Sequence, residues 1–366
     1  MSLITLLLPD LRCGGAEQVC IQLAKEFTNK GYSVEFLLCS LRGELLETAS
    51  SIASVRSLKV SRFREVLLPL SRYISLHQPD VLLASMWPLT CLAPLSKRIS
   101  QSRTKVIISE HVTLENQYKD WGVLTYTGLG LSTAIGYRLA DQCIAVSRGV
   151  AQSMSQLAHF PLDRITVIYN SRRTFPEPTE SELEQIEQLW NTPRGHRIVT
   201  VGTLKEQKNH ALLLQAFAQL PFVNHRLMLV GTGHLEDNLK ALAHQLGIAD
   251  RVVFAGFYQN PAAFYKTADL FVLSSDYEGL PSVLIEALSY GLPVVSTDCP
   301  SGPREILIDG KYGRLVPVGN SSALAQAITE TLMNPPEPEF PKQRAADFSA
   351  EKIAQQYLDL MFSNGY

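Results

Sequence analysis

The chain has 366 residues, 46% hydrophobic and 19% charged, with 33 Lys and Arg against 35 Asp and Glu and a formal net charge of −2. That length suits two domains of roughly 150–200 residues each, and the composition excludes wholesale disorder. The near-neutral balance excludes a strongly basic nucleic-acid binder. It conceals a split, because residues 1–170 carry 17 basic and 13 acidic groups (+4) and the remainder 16 and 22 (−6).

The opening run Leu3–Leu8 is apolar, has no basic residue before it and ends at Pro9-Asp10, so it predicts a buried strand rather than a signal peptide. A helix over Ala16–Lys30, a strand over Ser33–Cys39, a helix over Arg64–His77 and a strand over Val81–Ser85 follow. Next come a Pro-flanked helix to Ile99 and strands over Val106–Ser109 and Gln142–Val146. Ser171–Pro193 is polar and carries Pro176 and Pro178, which predicts a linker and a connecting helix. The rhythm then repeats through Arg197–Val201, Ala211–Leu220, Arg226–Val230, Leu235–Leu246, Val252–Phe254 and Pro261–Lys266. It ends with Leu270–Leu273, Val283–Ser289, Pro293–Ser296 and Ala323–Leu332. Apolar runs separated by helical periods predict parallel sheets covered on both faces: an α/β chain of two doubly wound domains. Such sheets hold ligands at the carboxyl ends of their strands, which makes the interdomain cleft the expected site.

The six cysteines, Cys13, Cys20, Cys39, Cys91, Cys143 and Cys299, form no C-x-x-C pair and have no His at metal-ligand spacing. They predict neither a zinc site nor a disulfide framework, and a reducing, cytoplasmic setting. No uncharged stretch reaches the ~20 residues a spanning helix needs.

The strongest chemical signal is Ser274–Glu286, SSDYEGLPSVLIE, after the apolar run Leu270–Leu273. Gly279 permits close backbone approach, Pro281 suits a first helical turn and Ser282 offers a hydroxyl. The helix start presents free N–H groups and a positive dipole end to an anion such as a diphosphate. Glu278 and Glu286, eight residues apart, can each accept hydrogen bonds from a diol. The structural alternative is a first-turn Glu complementing the dipole and a solvent-facing Glu within the helix.

This E-x7-E pattern with its Gly-Leu-Pro resembles the retaining family-4 glycosyltransferases of the GT-B fold. Further segments agree in order along nearly the whole chain. Gly14-Gly15-Ala16-Glu17 resembles the family's N-terminal glycine loop, Ala145-Val146-Ser147 its "AVS" strand end, and Val167-Ile168-Tyr169-Asn170 the end of its first domain. Gly202-Thr203-Leu204-Lys205-Glu206-Gln207-Lys208 resembles the donor loop G-R-L-x-x-x-K, with Thr203 standing where many relatives have Arg. Asp298–Glu305 resembles a segment of transferases that build bacterial lipid-linked glycans.

The resemblance implies GT-B architecture, two Rossmann-like domains facing a cleft. Residues 1–170 would bind acceptor, 171–345 would bind the nucleotide-sugar donor, and 346–366 would form a C-terminal helix crossing back. Lys208 would contact the leaving diphosphate, Glu286 the ribose hydroxyls and Glu278 the donor sugar. Gly202, Thr203, Gly279, Leu280 and the helix N–H groups of Ser282, Val283 and Leu284 would complete the donor pocket. Tyr258 would stack on the base, or else serve as a core aromatic. Gly14 and Gly15 would let phosphates and acceptor approach, a simple tight turn being the alternative. His111, after Val106–Ser109, would contact the donor sugar near its anomeric carbon, with a backbone-capping His as the alternative. Glu110 would orient the acceptor hydroxyl. Retaining members are thought to react on one face, the leaving phosphate oxygen taking the acceptor proton, so no strong side-chain base is needed. No two Asp residues lie two apart, so a D-x-D metal motif is absent and metal independence is expected, with no cofactor besides the nucleotide-sugar substrate.

Arg56, Lys59, Arg62, Arg64 and Arg72 form one basic cluster, and Lys97, Arg98, Arg103 and Lys105 a second, both beside apolar residues. Such clusters suit an anionic membrane surface at roughly 1 kcal/mol per charge. Trp121–Tyr137 is uncharged and holds four glycines, which predicts a re-entrant or lipid-facing loop, or a buried core helix. The expected activity is transfer of a hexose or N-acetylhexosamine to a lipid-linked or surface-polysaccharide glycan, polyprenyl-diphosphate-linked acceptors included, by a peripheral enzyme on the inner face of the cytoplasmic membrane. Transfer to a soluble acceptor and a non-catalytic binding subunit are the alternatives.

Overall fold

Two parallel sheets organise the chain, one in each of two compact units. The computed structural model describes residues 2–12, 14–119, 122–191, 195–221 and 224–362. The first unit is Met1–Arg173 with Ser349–Tyr366, and the second is Thr174–Phe348.

The first unit alternates strand and helix: β1 (Leu3–Leu8), α1 (Gly15–Asn29), β2 (Ser33–Leu38), α2 (Leu46–Ile52) and β3 (Ser54–Ser57). It continues with α3 (Leu67–His77), β4 (Val81–Ser85), α4 (Leu89–Ser100), β5 (Lys105–Glu110), α5 (Leu114–Gln117) and α6 (Gly122–Leu139). It closes with β6 (Gln142–Ala145), α7 (Arg148–Ala158) and β7 (Ile165–Val167). The strand order is β3-β2-β1-β4-β5-β6-β7, with every pairing parallel. Helices cover both faces of the central strands, so β1 and β4 are apolar and buried almost throughout. The edge strand β3 alternates exposed and half-buried residues.

In the second unit α8 (Glu180–Trp190) starts with a capping box between Thr179 and Glu182. Then follow β8 (Arg197–Val201), α9 (His210–Ala218), β9 (Arg226–Val230), α10 (Glu236–Gln245), β10 (Val252–Gly256), α11 (Ala262–Thr267) and β11 (Leu270–Leu273). After them come α12 (Ser282–Ser289), β12 (Val294–Thr297), α13 (Pro303–Ile306), β13 (Arg314–Val316), α14 (Ser321–Met333) and α15 (Glu339–Ala345). The parallel order is β10-β9-β8-β11-β12-β13. The order reverses between β1 and β4 in one sheet and between β8 and β11 in the other, which opens a crevice at those strands' carboxyl ends.

The last helix, α16 (Ala350–Phe362), belongs to the first unit. Ile353, Ala354, Tyr357, Leu358 and Met361 recur at helical spacing and join the core formed by β1, β2 and α1. Lys105 Nζ closes its end by donating to the Leu360 and Met361 carbonyls at 2.8 and 3.1 Å.

Two expectations about the first unit are refined. From Gly122 onward the uncharged segment lies in the helix α6, so it follows the helical reading and not the loop reading, and Trp121 lies outside the described residues. Packing explains the tolerance for glycine: a Cβ on Gly136 would lie 2.7 Å from Cys91 Cα, so glycine lets α6 approach α4. The basic clusters are also thinned by internal partners. Arg56 pairs with Glu35, Lys97 with Asp141, and Lys105 caps α16. Cys20, Cys39, Cys91, Cys143 and Cys299 are free and buried, while Cys13 lies outside the described residues.

Candidate active site

Adjacent strands β8 and β11 bring two loops together. The loop after β8 runs from Gly202 into a tight turn at Glu206–Lys208, and the loop after β11 carries Ser274–Gly279. Lys208 Nζ donates to Glu278 Oε1 at 2.7 Å, and Ser275 Oγ donates to the same oxygen at 2.6 Å. Gln207 Nε2 donates to the Tyr277 carbonyl at 2.9 Å, and Asp276 N–H to the Gln207 carbonyl at 2.9 Å. Ser274 Oγ donates to the Lys208 carbonyl and Asn209 Nδ2 to Asp276, while Thr297 on β12 holds the Ser275 carbonyl. The Lys208 and Glu278 side chains are only 16% and 7% exposed, so their charges interact with little solvent between them.

Neighbouring segments support these loops at backbone distance. A Cβ on Gly231 (φ +143°) would stand 2.1 Å from the Gly202 carbonyl oxygen, and one on Gly233 2.2 Å from that of Leu204. The segment Asp298–Glu305 lies under the other loop. Ser301 Oγ donates to the Gly279 carbonyl at 2.7 Å, and a Cβ on Gly302 (φ +96°) would meet Pro281 at 2.5 Å. Gly231 and Gly302, at positive φ and with no room for a Cβ, require glycine.

At the start of α12, Leu284 N–H already bonds the Pro281 carbonyl at 3.0 Å. This corrects the expectation of three free donors, since Ser282 and Val283 alone remain without a partner among the described residues. The side chains of Leu280 and Leu284 are buried and position the turn. Glu286 sits within α12, 1% exposed, and its Oε2 accepts from Tyr265 at 2.9 Å. It is therefore enclosed rather than solvent-facing. Tyr258, past the end of β10, is 40% exposed with its ring edge-on to Phe264. Thr203 is exposed.

Sequence reasoning passed over Lys205. It is half-buried, two residues after Thr203 and three before Lys208, and burial together with the Lys208 charge pulls its pKa below the usual lysine value. Its spacing to Lys208 is the signal that could have found it. Ser275, three before Glu278, and Tyr265 carried no pattern of their own.

In the first unit Gly14 is the N-cap of α1, with extended backbone (φ −107°, ψ 167°) and no side-chain cap, and a Cβ on Gly15 would meet nothing within 4 Å. At the end of β5, His111 Nε2 lies 3.2 Å from Ser109 Oγ, and burial pushes its pKa down to about 4. Glu110 points to the other face, as alternation along a strand requires. It is fully buried and accepts from Thr90 Oγ1 at 2.6 Å and Tyr137 OH at 3.1 Å. Burial raises its pKa to about 7. The expectation that Glu110 meets an acceptor hydroxyl is thus corrected, because α4 and α6 enclose it. Among the described residues no three His, Cys, Asp or Glu side chains converge as a metal site, and no described helix is long and apolar enough to cross a membrane.

Two parallel sheets, with a lysine and a carboxylate joined at the reversal point of the second, define the GT-B class of glycosyltransferases. A solved structure of HepE from Anabaena with UDP shares this fold at 22% identity, covering 100% of both chains with a TM-score of 0.82. The profile of group 1 glycosyl transferases matches residues 184–348, and that of glycosyltransferase family 4 matches residues 13–172. A Campylobacter jejuni relative is 30% identical over 72% of this chain and 71% of its own. Its name is N-acetylgalactosamine-N,N'-diacetylbacillosaminyl-diphospho-undecaprenol 4-alpha-N-acetylgalactosaminyltransferase. The Rhizobium meliloti lipopolysaccharide core biosynthesis glycosyltransferase LpsE is 29% identical over 96% of each chain. The chain belongs to the group 1, family-4 glycosyltransferases.

Proposed function

We propose that the protein is a retaining, metal-independent transferase. It moves a hexose or N-acetylhexosamine from a nucleotide-diphosphate sugar to a lipid-linked or surface-polysaccharide glycan. The observation that carries this reading is the Lys208–Glu278 pair at the β8/β11 reversal point, beside the free N–H groups of Ser282 and Val283. A departing diphosphate gains negative charge, and the backbone donors at the start of α12, fixed in place, stabilise it without reorganising. Lys208 follows the leaving oxygens as a mobile point charge, and Glu278, released from it, accepts from a hydroxyl of the donor sugar. Gly202 keeps its loop backbone accessible, Gly279 is buried and held by Ser301, Glu286 anchors the ribose, and Tyr258 offers an exposed ring for the base. Gly15 leaves the start of α1 open to phosphates, whereas the Glu17 carboxylate fills the space beside Gly14, and His111 contacts the sugar.

The acceptor class rests on the named activities of the Campylobacter and Rhizobium relatives. It also rests on a surface of α3 and the turn before it, where Phe63, Leu68 and Leu76 are 43%, 61% and 80% exposed beside exposed Arg62, Arg64 and Arg72. This arrangement suits peripheral attachment to the inner face of an anionic membrane. The test is a panel of nucleotide sugars screened for thermal shift and released nucleotide, with and without EDTA. One donor should stabilise the protein and turn over in EDTA at the untreated rate, giving a product of retained anomeric configuration. No donor response would overturn the transferase reading, and activity restored to an EDTA-treated sample by Mg²⁺ or Mn²⁺ would overturn metal independence.

A further inference from the structure

His111, Ser109 and Tyr357 form a line from the end of β5 to the C-terminal helix. Ser109 Oγ lies 3.2 Å from His111 Nε2 and, by a longer contact of 3.4 Å, from Tyr357 OH. All three side chains are buried, at 0%, 8% and 1% exposed for Ser109, His111 and Tyr357. Ser109 is the one hydrogen-bond partner of the Tyr357 hydroxyl among the described residues. A phenol O–H held away from water without an acceptor is costly, so Tyr357 donates to Ser109 Oγ. The serine proton then goes to its other neighbour, His111 Nε2, which accepts. The imidazole proton is left on Nδ1, and Nδ1 is itself buried with no partner among the described residues. A buried N–H without an acceptor costs about 1–3 kcal/mol, a cost that a ligand oxygen removes.

We infer that Tyr357, acting through Ser109, is a positioning residue that holds His111 in its Nδ1–H tautomer and so presents a fixed N–H donor to a sugar hydroxyl oxygen. The identity of that oxygen rests on the glycosyl-transfer reading, whereas the tautomer and its cause do not. Burial independently keeps the ring neutral near pH 7, which a tautomer-specific donor requires. The C-terminal helix thereby contributes to the chemistry of the β5 end through a hydrogen bond as well as through packing.

The experiment has a spectroscopic arm and a kinetic arm on the full chain. Long-range ¹H–¹⁵N spectra of the ¹⁵N-labelled protein, with the ring assigned from its loss in His111→Gln, should show a protonated Nδ1 in the wild type. Tyr357→Phe and Ser109→Ala should each shift His111 toward a tautomer mixture. In the kinetic arm His111→Asn, whose amide places an N–H near the Nδ1 position, should keep at least tenfold more activity than His111→Gln. Tyr357→Phe should lower kcat/KM about tenfold in the wild type and leave it unchanged in the His111→Asn background. A wild-type ring protonated on Nε2, or a tautomer indifferent to both Ser109→Ala and Tyr357→Phe, would overturn the inference. So would an equal loss from Tyr357→Phe in the two backgrounds, which marks a purely structural role. Failure of every nucleotide sugar to react would remove the transferase reading and leave the spectroscopic arm intact.

Discussion

Lys208 Nζ donates to Glu278 Oε1 at 2.7 Å, joining the turn after β8 to the turn after β11 across 70 residues of sequence. On the proposed reading the cation for the diphosphate is held by the carboxylate for the sugar, and donor binding would exchange one partner for another. Each group keeps the other from being buried alone, which is the costly state.

That coupling separates stability from catalysis. Lys208→Ala leaves the enclosed Glu278 with Ser275 and Gln207 as its side-chain hydrogen-bond partners among the described residues and with the half-buried Lys205 as a nearby charge, and should cost on the order of 3 kcal/mol in urea unfolding. Adding Glu278→Gln should recover most of that loss, because the uncompensated charge is gone. Turnover should stay below wild type by about 10² or more in both variants, the size expected for a lost stabiliser of the leaving group. Wild-type turnover in Lys208→Ala would remove Lys208 from the mechanism.

The loop around Thr203 predicts a charge exchange. Thr203 is exposed and uncharged, while Lys205 stands half-buried within the field of Lys208. Lys205→Gln should weaken binding of a nucleoside diphosphate about tenfold more than that of the monophosphate, measured by calorimetry. Thr203→Arg should be tolerated alone and should restore the diphosphate preference in the Lys205→Gln background. Equal weakening of both nucleotides would place Lys205 outside the phosphate subsite.

Most of the sheet architecture was legible because buried parallel strands must be continuously apolar, as in Leu3–Leu8 and Leu270–Leu273. The edge strand β3, SVRS, was not, since an edge strand packs little and needs no apolar run. The helix α6 was obscured by its glycines, whose propensity cost is outweighed by close approach to α4. At the site, loop residues announced themselves through motif spacing, as with Glu278 and Lys208. Residues that act through another side chain did not. Tyr357 reads only as one apolar position of an amphipathic helix, and Tyr265 as an aromatic before a strand. The direction of Glu110 was missed because a residue next to His111 in sequence points to the opposite side of the sheet.

The α3 surface gives a membrane prediction. Arg64 and Arg72 are exposed beside Leu68 and Leu76, whereas Lys97 and Lys105 are occupied by Asp141 and the end of α16. The double variant Arg64→Glu, Arg72→Glu should abolish flotation with anionic vesicles, each charge near the surface contributing about 1 kcal/mol. Lys97→Gln should change flotation little, and raised salt should release the wild type. Flotation unaffected by the double variant would move attachment elsewhere.

Glu110 predicts a pH dependence of stability with a definite sign. Burial raises its carboxyl from 4.5 to about 7, so between those values the native state holds a proton that the unfolded chain has lost. This contribution is fully present below pH 4.5 and disappears as pH rises through 7, a change of about 3 kcal/mol for 2.5 units. Glu110→Gln removes the titration while its carbonyl can still accept from Thr90 and Tyr137. The amide carries its own fixed cost, so the measurement is the slope: the wild type should lose stability relative to Glu110→Gln between pH 5 and pH 8. His111, whose depressed pKa gives the opposite slope below 6.5, titrates in both proteins and cancels from the comparison. Parallel stability profiles would mean that Glu110 is ionised in the folded protein and reached by water.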